Sequence, residues 1–72
     1  MERIPVVSSN IISAGYDPEK QLLEIEFKGN VVWQYTGVPE NVWMEFISAP
    51  SQGKYFSSQI RPRFTDFGYR VQ

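Results

Sequence analysis

Two short runs of alternating apolar residues face each other across a glycine turn between Leu22 and Gly37. They constrain the fold more than any other part of the chain. Leu23, Ile25 and Phe27 alternate with Glu24 and Glu26, and after Lys28-Gly29-Asn30 the alternation resumes with Val31, Trp33 and Tyr35. A period of two is strand periodicity, and Gly29-Asn30 supplies the positive φ that a tight hairpin needs. The segment predicts a β-hairpin with six apolar side chains on one face, which fixes where the core lies.

The rest of the chain has to cover that face with little material. A domain of 72 residues buries only about 60% of the surface its unfolded form exposes. With no Cys and no His, neither a disulfide nor a zinc site of the usual kind can staple it. Aromatic side chains carry the burden, because Phe, Trp and Tyr bury large areas at modest entropic cost. Self-association is a second source of burial. The composition predicts a soluble, intracellular, cytoplasmic protein. The sequence has no 18-residue apolar run and no apolar leader after Met1-Glu2-Arg3-Ile4-Pro5.

Before the hairpin, Val6 to Asp17 reads as a first strand in which Ile12, Ala14 and Tyr16 alternate with Ile11, Ser13 and Gly15. Ile11 and Ile12 fall on opposite sides, so the pattern does not say which face is inward. Asp17-Pro18-Glu19-Lys20 is a turn, with Pro18 presetting φ and Asp17 accepting from a backbone N–H two residues on. After the hairpin, Pro39 suits a helix start, and Val42, Trp43, Phe46 and Ile47 recur at helical spacing. Ala49-Pro50-Ser51 breaks that helix, and Ser51 is the N-cap of a second one carrying Phe56 and Ile60. Pro62 is expected to halt it, since the residue before a proline is pushed out of helical geometry. Phe67, Tyr69 and Val71 alternate again, as a short final strand or an arm that packs on another subunit. These readings predict a single α+β domain over residues 1–72. Its expected architecture is a three-stranded antiparallel meander packed on one face by two short helices, with a short C-terminal strand.

Several of these pieces, in order, resemble the KTSC domain. They are Val7-Ser8-Ser9-Asn10-Ile11, Gly15-Tyr16-Asp17, Leu23-Glu24-Ile25-Glu26-Phe27 and Trp33-Gln34-Tyr35-Thr36-Gly37-Val38-Pro39. They continue with Ala49-Pro50-Ser51-Gln52-Gly53-Lys54-Tyr55-Phe56, leading to Ile60-Arg61. The set spans most of residues 6–64. Two positions depart from the family pattern: Trp33 stands where a tyrosine pairs with Tyr35, and Pro50 where a helix-compatible residue is usual. The KTSC domain is named for its place at the C-terminus of some lysyl-tRNA synthetases, and it also occurs alone in bacterial and phage proteins. The resemblance implies the fold, and its place beside a tRNA synthetase suggests RNA as a partner.

The residues themselves argue against catalysis. Without His or Cys the commonest general base and the soft metal ligands are missing, and no glycine-rich phosphate loop follows a strand. Glu24 and Glu26 share a strand face, but alternation alone puts polar residues there. No catalytic residue, metal ligand or cofactor is expected.

Charge is distributed unevenly. Residues 1–53 hold three cations against seven carboxylates, whereas residues 54–72 hold Lys54, Arg61, Arg63 and Arg70 against Asp66 alone. In Lys54 to Phe64 cations interleave with rings and hydroxyls, the best anion site this chain can build. Lys54, Arg61, Arg63 and Ser57 are the expected phosphate contacts. Ser58 adds a donor, and Tyr35 or Tyr55 would stack on a base. Trp33 and Tyr35 are open to two readings, as core facing the helices or as an exposed platform. The expected function is a non-catalytic module binding RNA or another phosphate-bearing nucleotide ligand. The alternatives are an interaction or oligomerisation module forming a homodimer through residues 66–72, or a phage-type protein sequestering a nucleotide signal.

Overall fold

A computed structural model describes residues 1–64 and 68–72 of the chain. Among the described residues five strands form one antiparallel sheet in sequential order: β1 (Arg3–Pro5), β2 (Ile11–Asp17), β3 (Leu22–Phe27), β4 (Val31–Tyr35) and β5 (Gly68–Arg70). The three-stranded meander expected from the sequence is β2–β4; the expected short C-terminal strand joins it at one edge as β5, and β1, which was not expected, extends the other edge. The central hairpin has the expected register, with Leu23 opposite Tyr35, Ile25 opposite Trp33 and Phe27 opposite Val31. Those six side chains share the face toward the helices. Gly29 and Asn30 turn the hairpin at φ of 87° and 60°.

Of the stretch expected as one strand over Val6–Asp17, only Ile11–Asp17 is strand; a bent segment over 6–10 joins it to β1, which lies before that stretch. Pro5 cannot donate to a ladder. Ser8 Oγ then accepts from the backbone N–H groups of Asn10 (3.3 Å) and Ile11 (3.4 Å), a local bond that competes with sheet pairing. The chain folds back on itself, and β1 pairs with β2, Ile4 opposite Ala14. A register shift between Ile11 and Ser13 resolves the ambiguity of Ile11 and Ile12. The extra residue lets both Ile11 and Ala14 point inward and turns Ile12 out to solvent.

The turn after β2 is held as expected: Asp17 Oδ1 accepts from the N–H groups of Glu19 (3.0 Å) and Lys20 (3.3 Å). Helix α1 (Glu40–Ser48) follows Pro39, and it buries Val42 and Phe46. Ser51 caps the next helix by accepting from the Lys54 N–H at 3.4 Å. That helix runs without a break through α2 (Gln52–Tyr55), a π-helical turn (Phe56–Ile60) and α3 (Arg61–Phe64). The expected stop at Pro62 does not occur. Proline removes one i→i−4 bond and crowds the carbonyl a turn earlier. Here the widened π turn lies directly before it, with the Arg61 N–H reaching back to Phe56, so the helix absorbs the proline.

Both helices cover one face of the sheet. Phe46, Leu23, Ile25, Ile60, Val38 and Val42 are the largest fully buried side chains, joined in one cluster by Ile11, Ala14, Tyr35, Phe56 and Phe64. Tyr16 stacks on Trp43 at 5.5 Å and donates its hydroxyl to the Val38 carbonyl, tying β2 to the start of α1. On the other face of the sheet Val32 is buried outside the main cluster, and polar pairs surround it: Glu24 accepts from Gln34 Nε2 at 2.9 Å and pairs with Arg3 at 3.6 Å, and Glu26 accepts from Ser13 Oγ at 2.7 Å. No helix among the described residues is long and apolar enough to cross a membrane.

Candidate functional site

Between the turn end of the β3–β4 hairpin and the second helix lies a cleft of about 1130 Å³. Its floor is apolar, made by Ile11, Phe27, Val31, Trp33, Tyr35 and Phe56. Phe56 meets Phe27 and Tyr35 edge-on at 5.6 and 5.8 Å, and Trp33 lies along Tyr35 at 6.3 Å with planes 23° apart. These contacts lock the rings, so the floor is preformed.

The rim is polar and cationic. On the helix, Lys54, Ser57, Ser58 and Arg61 stand three, four and seven residues apart, which sets them on one face, and all four line the cleft. Lys28 at the hairpin end faces them from the opposite wall. Among the described residues no carboxylate lines the cleft, and none of its three cations is held in an ion pair.

The third wall is the bent segment Ser8-Ser9-Asn10, which bridges the other two. The Asn10 carbonyl accepts from the Lys28 N–H at 3.0 Å. On the helix side Gln52 Oε1 accepts from the Val7 N–H at 3.2 Å, and Ser8 packs against Gly53. Three segments distant in sequence thus converge on one concavity.

Of the residues singled out from the sequence, Lys54, Ser57, Arg61 and Tyr35 come together in this cleft. Tyr35 is only 5% exposed, so its ring is chiefly core. Burial pushes its phenol pKa up, an effect that the nearby Arg61 charge partly offsets. Trp33 is the half-buried member of the pair, core on one side and cleft lining on the other.

Arg63 and Tyr55 lie elsewhere. The Arg63 guanidinium sits 5.5 Å over the Phe64 ring. Tyr55 donates its hydroxyl to Glu45 at 3.1 Å and packs beside Phe46, on the side facing α1. Burial and the Glu45 carboxylate both raise its pKa. Helical geometry separates these two from Lys54 and Arg61: Tyr55 follows Lys54 by one position and Arg63 follows Arg61 by two, and neighbours at those spacings do not share a face.

Lys28, Ser8, Ser9 and Asn10 were not singled out. Ser8-Ser9-Asn10 entered only as part of the family resemblance and Lys28 only as a turn residue, because they reach the cleft through the hairpin and the bend before β2. Among the described residues the tail contributes none to the cleft. Phe67 and Asp66 lie outside the described residues, and Gly68–Arg70 pairs with β4 of the same chain, Tyr69 opposite Gln34.

Comparison with known proteins matches this arrangement to one family. A crystal structure of a KTSC domain protein from Yersinia pestis superposes with a TM-score of 0.90 at 41% identity, covering 99% of this chain and 97% of that one. An uncharacterised protein of Stutzerimonas stutzeri is 38% identical over 63 residues, 88% of this chain and 89% of its own length. A lysine–tRNA ligase of a Nostoc species is 39% identical over 49 residues, which is 68% of this chain but 9% of the ligase. The KTSC domain family model spans residues 7–64. That span holds the bulged β2, the central hairpin, both helices and every residue lining the cleft, and on that ground the chain belongs to the KTSC domain family.

Proposed function

We propose that this chain is a non-catalytic binding module that holds RNA or another phosphate-bearing nucleotide ligand in the cleft between the hairpin and the second helix. Lys28, Lys54 and Arg61 face the phosphate, Ser57 donates to it, and the exposed side of Trp33 carries the base; the Ser58 hydroxyl, expected as a further donor, instead donates to the Lys54 carbonyl at 2.8 Å. The observation that supports this reading is the composition of the cleft: among the described residues three cations and no carboxylate, standing over a fixed aromatic floor. Arginine offers phosphate a planar pair of donors and lysine a point charge, while an aromatic face accepts any base by stacking. The similarity to part of a lysine–tRNA ligase is consistent with RNA among the ligands.

Titration with single-stranded RNA and with mononucleotides, followed by Trp fluorescence and calorimetry, tests the proposal. Saturable binding that weakens as salt is added is expected, since neutralised phosphates release counterions. Lys54→Ala and Arg61→Ala should each weaken it about tenfold or more, as a charged hydrogen bond contributes ~1.5–3 kcal/mol, with the circular dichroism spectrum unchanged. Absence of saturable binding by both ligand types would overturn it.

A further inference from the structure

Resting on that reading, we infer that the ligand is a small free nucleotide of one or two units with at least two phosphate charges, and not a chain running through the site. Three observations carry this. The first is shape. A groove that tracks a single strand needs two open ends, and such grooves occupy ~4–16 nucleotides. This cleft is bridged at one end by Ser8-Ser9-Asn10, which is tied to the hairpin by the bond from the Lys28 N–H to the Asn10 carbonyl. The same segment is tied to the helix by the Val7–Gln52 bond and the Ser8–Gly53 contact. A strand entering from the open side meets a wall.

The second is size. At about 1130 Å³ the cleft lies slightly above the ~300–1,000 Å³ range of small-molecule sites, room for a ligand of one or two nucleotide units.

The third is charge. The formal net charge of the chain is −1. Subtracting the +3 of Lys28, Lys54 and Arg61 leaves −4 on the rest of the molecule. A small polyanion is drawn into a cationic cleft, whereas the net charge of the remainder, being of a polyanion's own sign, adds no attraction for one long enough to leave it. Cations stand on both facing walls, Lys28 on one and Lys54 with Arg61 on the other. A ligand with a single phosphate charge satisfies one wall only.

The test compares four probes at one salt concentration: adenosine, ATP, cyclic di-AMP, and a 20-nucleotide uridine strand blocked at both ends. The expected result is 1:1 binding of ATP or cyclic di-AMP, at least tenfold tighter than each binding site on the 20-mer, with no saturation by adenosine. Lys28→Ala, at the exposed hairpin end and so without a folding role, should weaken the small nucleotide about tenfold. If the blocked 20-mer binds tightly while ATP and cyclic di-AMP do not, the small-ligand inference is overturned and the broader binding reading stands. Failure of all four probes together with unblocked RNA would overturn both.

Discussion

Gly53 approaches Ser8 so closely that a Cβ at residue 53 would lie 2.7 Å from the Ser8 hydroxyl oxygen and 3.4 Å from its Cβ. The contact joins the first turn of the second helix to the bend that walls the cleft. It also overrides helix propensity, because glycine costs a helix about 0.8–1.0 kcal/mol relative to alanine.

Gly53→Ala should therefore change sign with its background. In the native chain it destabilises, because the Ser8 side chain must leave the position from which it accepts the Asn10 and Ile11 N–H groups. In a Ser8→Gly background the same substitution should stabilise by up to ~1 kcal/mol, the propensity term alone. Urea unfolding of the four members of the double-mutant cycle reads both values. Equal effects in the two backgrounds would show that the contact carries no energy.

Phe46→Ala should prevent stable folding at 37 °C. Phe46 is fully buried between α1 and the sheet, in ring contact with Trp43 and Tyr55. Such truncations cost ~3–5 kcal/mol. Against that, a chain of 72 residues has a total stability of roughly 4–11 kcal/mol at ~0.05–0.15 kcal/mol per residue. Loss of the cooperative thermal transition is the expected measurement.

Trp33→Leu separates the two roles of that side chain. Leucine keeps an apolar group opposite Ile25 but offers no ring to a base. Nucleotide affinity should fall by ~1–3 kcal/mol, the value of one base–aromatic stack, while the cooperative unfolding transition that Phe46→Ala loses is retained. Undiminished affinity would remove Trp33 from the binding surface.

Stability should decline above pH 10. Burial holds the Tyr35 phenol protonated beyond its ordinary value of 10.0, and the phenols of Tyr16 and Tyr55 are raised in the same direction. Above that pH the unfolded chain gives up protons that the folded chain retains, so alkali favours unfolding. Stability is complete below pH 10 and is lost as pH climbs through the folded-state values. Tyr35→Phe keeps the ring and removes the ionisation. Its alkaline unfolding midpoint should lie higher than that of the native chain, relative to their difference at pH 7.

Periodicity made the centre of this molecule readable. Leu23, Ile25, Phe27, Val31, Trp33 and Tyr35 are buried or half-buried on the face that alternation assigns to them, because a strand pair with one covered face leaves no second solution. Ser51 was likewise readable as a cap. Ile11 and Ile12 were not, since a bulge breaks the period at the position where the sequence is ambiguous. Pro62 misleads for a related reason: the widened turn that accommodates it has no residue signature. β5 adds to a sheet edge by pairing with β4, a long-range event that a few alternating residues do not specify. The cleft was half legible. Its helical stripe follows from spacing within one segment, whereas Lys28 and the Ser8–Asn10 wall depend on tertiary assembly.

Because the pocket walls come from residues 8–11, 27–35 and 51–61, no portion of the pocket survives in the denatured chain. Occupancy and folding are then a single equilibrium, and any cognate compound acts as a thermal stabiliser. At a hundred times its Kd a ligand confined to the native state adds about 2.7 kcal/mol, and each kcal/mol raises Tm by ~4–8 °C in a domain this small. A plate of candidate metabolites and a dye-based melting assay suffice to find it.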